Sequence, residues 1–169
     1  DPYSKVMNND DKKTATLFGD GATVTLLTEN PVFDFGKFVF GSDGSKKEGI
    51  IVREDGHVHM NGRAVFTFTV RVVPDSIRKM LGKNGFALDR IDRFLLHQGS
   101  LHIVNSIADT LGVPREKCPF KSGAYGNTVS SSVPMILAQE FNNQEMQVAV
   151  LAGFGVGLSW ASTLIFREK

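Results

Sequence analysis

Cysteine is nearly absent: Cys118 is the only one in 169 residues. A single thiol rules out an intrachain disulfide framework and fits a reducing compartment. Long apolar runs are missing as well. No stretch approaches the roughly 20 residues needed to span a bilayer, and no signal-peptide pattern opens the chain, so a cytoplasmic setting with no membrane contact is expected. Excess charge of one sign is lacking too, with 19 basic residues against 18 acidic. That removes the electrostatic case for nucleic acid as a partner. Histidine is scarce, at four. His57 and His59 alternate with Val58, but a metal site needs a third ligand and usually a fourth. His97, His102, Cys118 and the scattered carboxylates stand at no matching spacing, so no metal is expected. An initiator methionine is also missing. Asp1-Pro2-Tyr3-Ser4-Lys5 leads into a polar segment, residues 1–13, that reads as the start of a fragment or processed product.

Glycine and phenylalanine, by contrast, are plentiful (17 and 13), which suits buried strands joined by tight turns. The length suits one domain with a real core. One stretch organises the rest. Phe94-Leu95-Leu96 is a short apolar run that ends on His97 and passes through Gly99 and Ser100. Leu101, Val104, Ala108 and Leu111 then recur at helical spacing. A histidine at a strand end, before a small turn and a helix, lies where open α/β sheets place their crevice. Its ordinary pKa, roughly 6.5, suits proton transfer near neutrality. An ordinary strand-edge histidine has the same local pattern.

Along the chain, residues 14–18 and 22–27 are β-prone runs separated by Gly19-Asp20-Gly21, a hairpin-type signal. Residues 32–40 hold Phe33, Phe35, Phe38 and Phe40 with Gly36 interrupting, the pattern of a bent strand. Residues 41–49 are a polar loop. Residues 61–81 satisfy two periods at once. Phe66, Phe68, Val70 and Val72 alternate as in a strand, whereas Phe66, Val70, Val73, Ile77 and Met80 make a helical stripe that Asn61 would cap and Pro74 would kink. Gly82-Lys83-Asn84-Gly85 is a stop. Beyond the His97 unit, residues 117–120 read as a short strand and 122–128 as a loop. Residues 130–141 read as a helix with Pro134 in its first turns. Residues 147–152 and 158–166 read as strands around Gly153-Phe154-Gly155-Val156-Gly157. The second half is thus β-α-β-α-β-β, an α/β pattern with a mixed sheet covered by helices.

Three elements converge in that topology: His97, Asn127 before a helix, and the glycine-rich turn. An asparagine amide does not titrate and is suited to holding a carbonyl or enolate oxygen. A glycine turn lets substrate approach backbone N–H groups. Its G-x-G-x-G spacing before a strand is not the dinucleotide fingerprint.

The motifs Leu17-Phe18-Gly19-Asp20-Gly21-Ala22, Met60-Asn61-Gly62, His97-Gln98, Gly126-Asn127-Thr128 with Ser132-Val133-Pro134, and Gly153-Phe154-Gly155-Val156-Gly157 with Trp160 and Ser162 occur in this order. From residue 14 onward the chain thereby resembles the C-terminal half of β-ketoacyl-acyl-carrier-protein synthase III, a condensing enzyme of the thiolase superfamily. The resemblance implies a thiolase-like layered α/β/α fold and a helix over residues 61–81. It implies that residues 14–28 are strands of the N-terminal half, with an exposed edge prone to self-association, and that residues 29–169 form the C-terminal domain. It also implies an acyltransferase of fatty acid or related lipid biosynthesis that joins an acyl group from coenzyme A to malonyl on acyl carrier protein, with loss of carbon dioxide. Those thioesters would be substrates, no cofactor would be resident, and the parent would be a homodimer.

The family works through a Cys-His-Asn triad, and His97 and Asn127 match its second and third members. Phe154, Gly155, Gly157, Gln98 and Ser100 fall at substrate-binding positions and His102 at a carrier-docking one, while Lys12 and Lys13 lie near a basic coenzyme A contact. The nucleophilic cysteine would lie upstream of Asp1, so this chain alone would not acylate. Cys118, in a short strand region without a helix N-terminus to lower its pKa, reads as a buried structural thiol. Gly99-Ser100-Leu101-His102 departs from the family's Ala-Asn-x-Arg, which keeps open a relative with a different acceptor. A non-catalytic partner subunit is the other alternative.

Overall fold

The computed structural model describes residues 2–168. Its regular elements are α1 (Lys12–Ala15), β1 (Phe33–Phe35), β2 (Val39–Ser42), β3 (Ile50–Val52), β4 (Val58–Met60), α2 (Gly62–Asn84), β5 (Arg93–Leu96), α3 (Leu101–Leu111), α4 (Ser132–Glu140), β6 (Val148–Gly155) and β7 (Ser159–Arg167). The main sheet is mixed. β5 runs parallel to β6, β6 antiparallel to β7, and both β1 and β2 pair antiparallel with β7. β3 and β4 form a separate hairpin.

Strand alternation sends successive side chains to opposite faces and so builds two cores. Phe94, Leu96, Val150, Ala152 and Leu164 meet Val73, Ile77, Met80 and Leu81 of α2 and Val104, Ile107 and Leu111 of α3. Leu95, Ala149 and Ile165 point the other way, against Ile136 of α4 and Met146. The helices therefore cover the sheet on both faces, the layered α/β arrangement expected from the sequence.

Residues 61–81 resolve as helix. Asn61 Oδ1 accepts from the Ala64 backbone N–H at 3.1 Å, capping α2. Val65, Thr69, Val73, Ile77 and Met80 make its buried stripe, one position off the predicted stripe at its start. Pro74 lies inside the helix without ending it, and α2 runs on to Asn84 before Gly85 closes it in the left-handed region at φ 65°. That extension positions Asn84 to hold the bend in the edge strand: its side-chain amide accepts from Lys37 N at 2.7 Å and donates to Lys37 O at 3.0 Å. Gly36 at that bend has no room for a Cβ, which would fall 2.7 Å from Asn84 Oδ1. The bent strand predicted from the four phenylalanines is the β1–β2 pair.

Two predicted sets of strands do not form. Residues 14–27 contain none: the first run is the end of α1 and a turn, capped by Asp11, whose side chain accepts from Lys13 N. Asp20 binds Ser4, through its backbone N–H at 2.8 Å and its hydroxyl at 2.5 Å, instead of turning a hairpin. Residues 22–28 have no ladder partner among the described residues, and Val24 is 99% exposed. Strand propensity without a neighbouring strand leaves the backbone to water. Residues 117–120 are likewise not a strand. The Gln98 side chain donates to Pro119 O at 3.3 Å and accepts from Lys121 N at 2.9 Å, taking backbone groups that a ladder would need. The second half is accordingly β-α-α-β-β.

Candidate active site

His97 follows β5 directly and extends its ladder by one bond, donating its backbone N–H to Ala152 O at 2.8 Å. The parallel pairing of β5 with β6 thus brings His97 beside the last residues of β6. There the Phe154 ring stands edge-on to the imidazole, 5.1 Å between centroids at 88°. On the other side, Ser132 at the start of α4 places its Oγ 2.6 Å from His97 Nδ1. The ring is held between a strand end and a helix start.

Asn127 arrives by a different route. Its backbone N–H donates to Leu17 O and its carbonyl accepts from Gly19 N, both at 2.9 Å, so the Leu17-Phe18-Gly19 motif forms a one-rung parallel bridge to it. Gly126 supplies the turn at φ 73°, and a Cβ there would sit 2.8 Å from Leu17 O. Asn127 is 8% exposed, and its Oδ1 accepts from Val129 N at 2.9 Å. That bond fixes the amide plane and leaves the NH2 group as the donor side. Two motifs over a hundred residues apart in the chain serve one asparagine.

His97 and Asn127 line one cavity of about 620 Å³, with Gly153, Phe154 and Gly155 from β6. Its remaining walls are mainly apolar, from Phe18, Phe40, Ile50, Val133 and Trp160. Burial pulls the His97 pKa down to about 4, against a smaller opposing influence of the Val129 backbone. At pH 7 the ring is neutral and carries one N–H. Two uncharged donors in an apolar cavity can stabilise negative charge developing on an oxygen.

The lowered pKa also has a stability consequence. Between about pH 6.5 and 4 the unfolded chain binds a proton at His97 that the folded chain does not, so stability is full above pH 6.5 and declines as pH falls toward 4. Urea midpoints at pH 7 and pH 5 are expected to differ more in the wild type than in His97→Gln. Equal differences would show that His97 is not held neutral in the folded chain.

Four predicted site residues lie elsewhere. Gln98 is buried and spent on backbone, donating to Leu96 O at 2.8 Å as well as holding residues 119–121, so it braces the loop and does not reach the cavity. Ser100 caps α3, accepting from Ile103 N at 3.2 Å. His102 is exposed and stacks flat on Phe66, 4.7 Å between centroids. Gly157 shapes the β6–β7 turn at φ 134°, where a Cβ would meet Ser159 Oγ; Gly155 is the glycine on the cavity wall. Lys12 and Lys13 lie in α1, and Lys13 borders a second surface recess with Asn61 and Arg63. Cys118 is 3% exposed and its thiol is pushed up to about 12, chiefly by burial, so it stays protonated at neutral pH and is no nucleophile. His57 and His59 both turn to Asp55, and no group of three or more His, Cys, Asp or Glu side chains among the described residues is arranged to hold a metal. Among the described residues no helix is long and apolar enough to cross a membrane.

Ser132 is the site residue that sequence reasoning missed. It stood inside a quoted motif, but nothing in a serine before Val-Pro signals contact with a histidine 35 positions earlier.

The family model described as 3-Oxoacyl-[acyl-carrier-protein (ACP)] synthase III C terminal matches residues 81–166, and the corresponding 3-oxoacyl-[acyl-carrier-protein (ACP)] synthase III model matches residues 1–44. A β-ketoacyl-[acyl-carrier-protein] synthase III of Staphylococcus epidermidis is 37% identical over 98% of this chain and 54% of its own length. The solved synthase III of Thermus thermophilus superposes with a TM-score of 0.85 at 31% identity, covering 98% of this chain and 56% of that one. That of Aquifex aeolicus VF5 gives 0.87 at 28%, covering 96% and 54%. The chain spans about half the length of the curated relatives it matches. It belongs to the 3-oxoacyl-(acyl-carrier-protein) synthase III family.

Proposed function

We propose that the intact protein is a condensing acyltransferase, and that this chain supplies the half of its site that activates malonyl. The observation that carries the reading is the pairing of two neutral donors, His97 and Asn127, on one apolar cavity. In the reaction, a cysteine outside these 169 residues attacks the thioester carbonyl of an acyl-coenzyme A, forms a new acyl–sulfur bond and releases coenzyme A as its thiol. Malonyl on acyl carrier protein then loses its free carboxylate as carbon dioxide, and the electron pair of the broken C–C bond passes into the thioester as an enolate. His97 and Asn127 hold the enolate oxygen. The enolate carbon attacks the acyl thioester carbonyl, a C–C bond forms, and the cysteine leaves as thiolate. No net oxidation occurs, so the reading needs no resident cofactor. Phe154 and Gly155 border the path of the attacking carbon.

A dimer in the cytoplasm completes the proposal. One buried cysteine fits a reducing compartment, and Val24, Leu26, Leu27 and Phe40 leave apolar surface for further protein to cover. A different acceptor is the second reading, favoured by His102: at the arginine position of the Ala-Asn-x-Arg pattern that the resemblance implies, this chain has an imidazole stacked on Phe66. The test incubates the intact protein with an acyl-coenzyme A and malonyl-acyl carrier protein and follows acyl-enzyme by mass and carbon dioxide by release. Acylation with carbon dioxide release is the expected result. Acylation without it selects the other acceptor, and no acylation on any coenzyme A thioester leaves the non-catalytic partner subunit.

A further inference from the structure

We propose that Ser132 is a positioning residue for His97: its hydroxyl donates to Nδ1 and so holds the ring in the tautomer that carries its proton on Nε2. For its catalytic consequence this rests on the condensation reading; for its chemistry it rests on the hydrogen bonds alone.

Ser132 is 1% exposed and its Oγ has two partners, His97 Nδ1 at 2.6 Å and the Gln98 backbone N–H at 3.3 Å. A hydroxyl has one hydrogen and two lone pairs. The Gln98 N–H is a donor only and takes one lone pair. Were Nδ1 also a donor, it would take the second, and the buried hydroxyl hydrogen would be left with no acceptor among the hydrogen bonds at Ser132. Burying an unmatched donor is costly. The arrangement that satisfies every group has Ser132 donating to a bare Nδ1, which puts the one proton of the neutral ring on Nε2. The ring, which lines the cavity, is then left with a donor and not a lone pair at its second nitrogen, as holding an enolate oxygen demands. Gln98 contributes through its backbone, and its buried side chain locks that backbone in place. The Val129 backbone carbonyl, whose influence on the ring opposes that of burial, is the competing acceptor for the ring proton.

The test is nitrogen NMR of the His97 ring in the histidine-labelled intact protein at pH 7, on the wild type, Ser132→Ala and Ser132→Thr. The expected spectrum has Nδ1 bare and Nε2 protonated in the wild type, a mixture of tautomers in Ser132→Ala, and the wild-type pattern restored in Ser132→Thr. Malonyl decarboxylation is expected to lose about tenfold in kcat in Ser132→Ala with KM unchanged, the value of one ordinary hydrogen bond, and to recover in Ser132→Thr. A proton on Nδ1 in the wild type overturns the proposal and assigns the ring to Val129. An unchanged tautomer in Ser132→Ala overturns it as well. A shifted tautomer with an unchanged decarboxylation rate upholds the hold of Ser132 on the ring and instead removes His97 from the reaction, so the two failures are separable.

Discussion

Replacing His97 by alanine is expected to lower carbon dioxide release from the malonyl thioester by roughly 10²–10³-fold while acyl loading proceeds near the wild-type rate. The magnitude is that of removing one preorganised donor from a developing oxyanion. The asymmetry follows from where the residue stands. His97 lies at the end of β5, walled by Phe154 and Ser132, in a cavity whose surfaces are otherwise mainly apolar. In such surroundings a hydrogen bond to a charged oxygen counts for more than in water, because no solvent dipole replaces it. On the proposed reading acyl loading calls on a thiol outside this chain, so it is affected only through packing. Acyl-enzyme measured by mass and carbon dioxide measured in parallel separate the two steps. A parallel collapse of both would place His97 in thiol activation and take it away from the enolate.

A single methyl group placed far from His97 in the sequence should be nearly as damaging. In Gly19→Ala the new Cβ would lie 1.8 Å from the backbone carbonyl oxygen of Tyr125. A backbone atom cannot swing aside as a flexible side-chain tip can, so the bridge between residues 17–19 and Asn127 must open. Two hydrogen bonds are lost with it, from Asn127 N to Leu17 O and from Gly19 N to Asn127 O. At about 1 kcal/mol each, with some strain remaining, the expected loss is about 2–3 kcal/mol. For a chain of this size that is a fall of roughly 5–10 °C in Tm. Because the bridge is what aims Asn127, decarboxylation should drop as far as in Asn127→Ala. Gly123→Ala is the control: nothing lies within 4 Å of its Cβ and its φ is not positive, so it should melt and react like the wild type. Equal behaviour of the two alanine variants would show that the Leu17–Gly19 segment does not position Asn127.

The elements that were legible in the sequence are those whose pattern has one physical solution. Phe94-Leu95-Leu96-His97 and residues 147–166 are apolar runs bounded by turn formers, and they became β5, β6 and β7 with His97 at a strand end. Residues 61–81 were ambiguous because Phe66, Phe68, Val70 and Val72 alternate inside a stripe that also fits a helix. Capping by Asn61 and packing of Val73, Ile77 and Met80 on the sheet decide in favour of the helix, and neither can be read from periodicity. Residues 22–27 have real strand propensity, but a strand is made by its neighbour. Gln98 and Ser100 illustrate a different limit. Both stand close to His97 in sequence, yet a polar side chain at a strand-to-helix turn is often claimed by the local backbone, and here both are. Ser132 is the converse case, distant in sequence and bonded in space.

The central claim is that His97 and Asn127 hold the same oxygen, and a double-mutant cycle tests it most directly. Carbon dioxide release from the malonyl thioester would be measured for the wild type, His97→Ala, Asn127→Ala and the double variant of the intact protein. Donors acting on one enolate are not independent. The double variant is therefore expected to be no more than a few-fold slower than the worse single one. A double variant slowed by the full product of the two single effects would mean that the residues act at separate points, and would contradict the account.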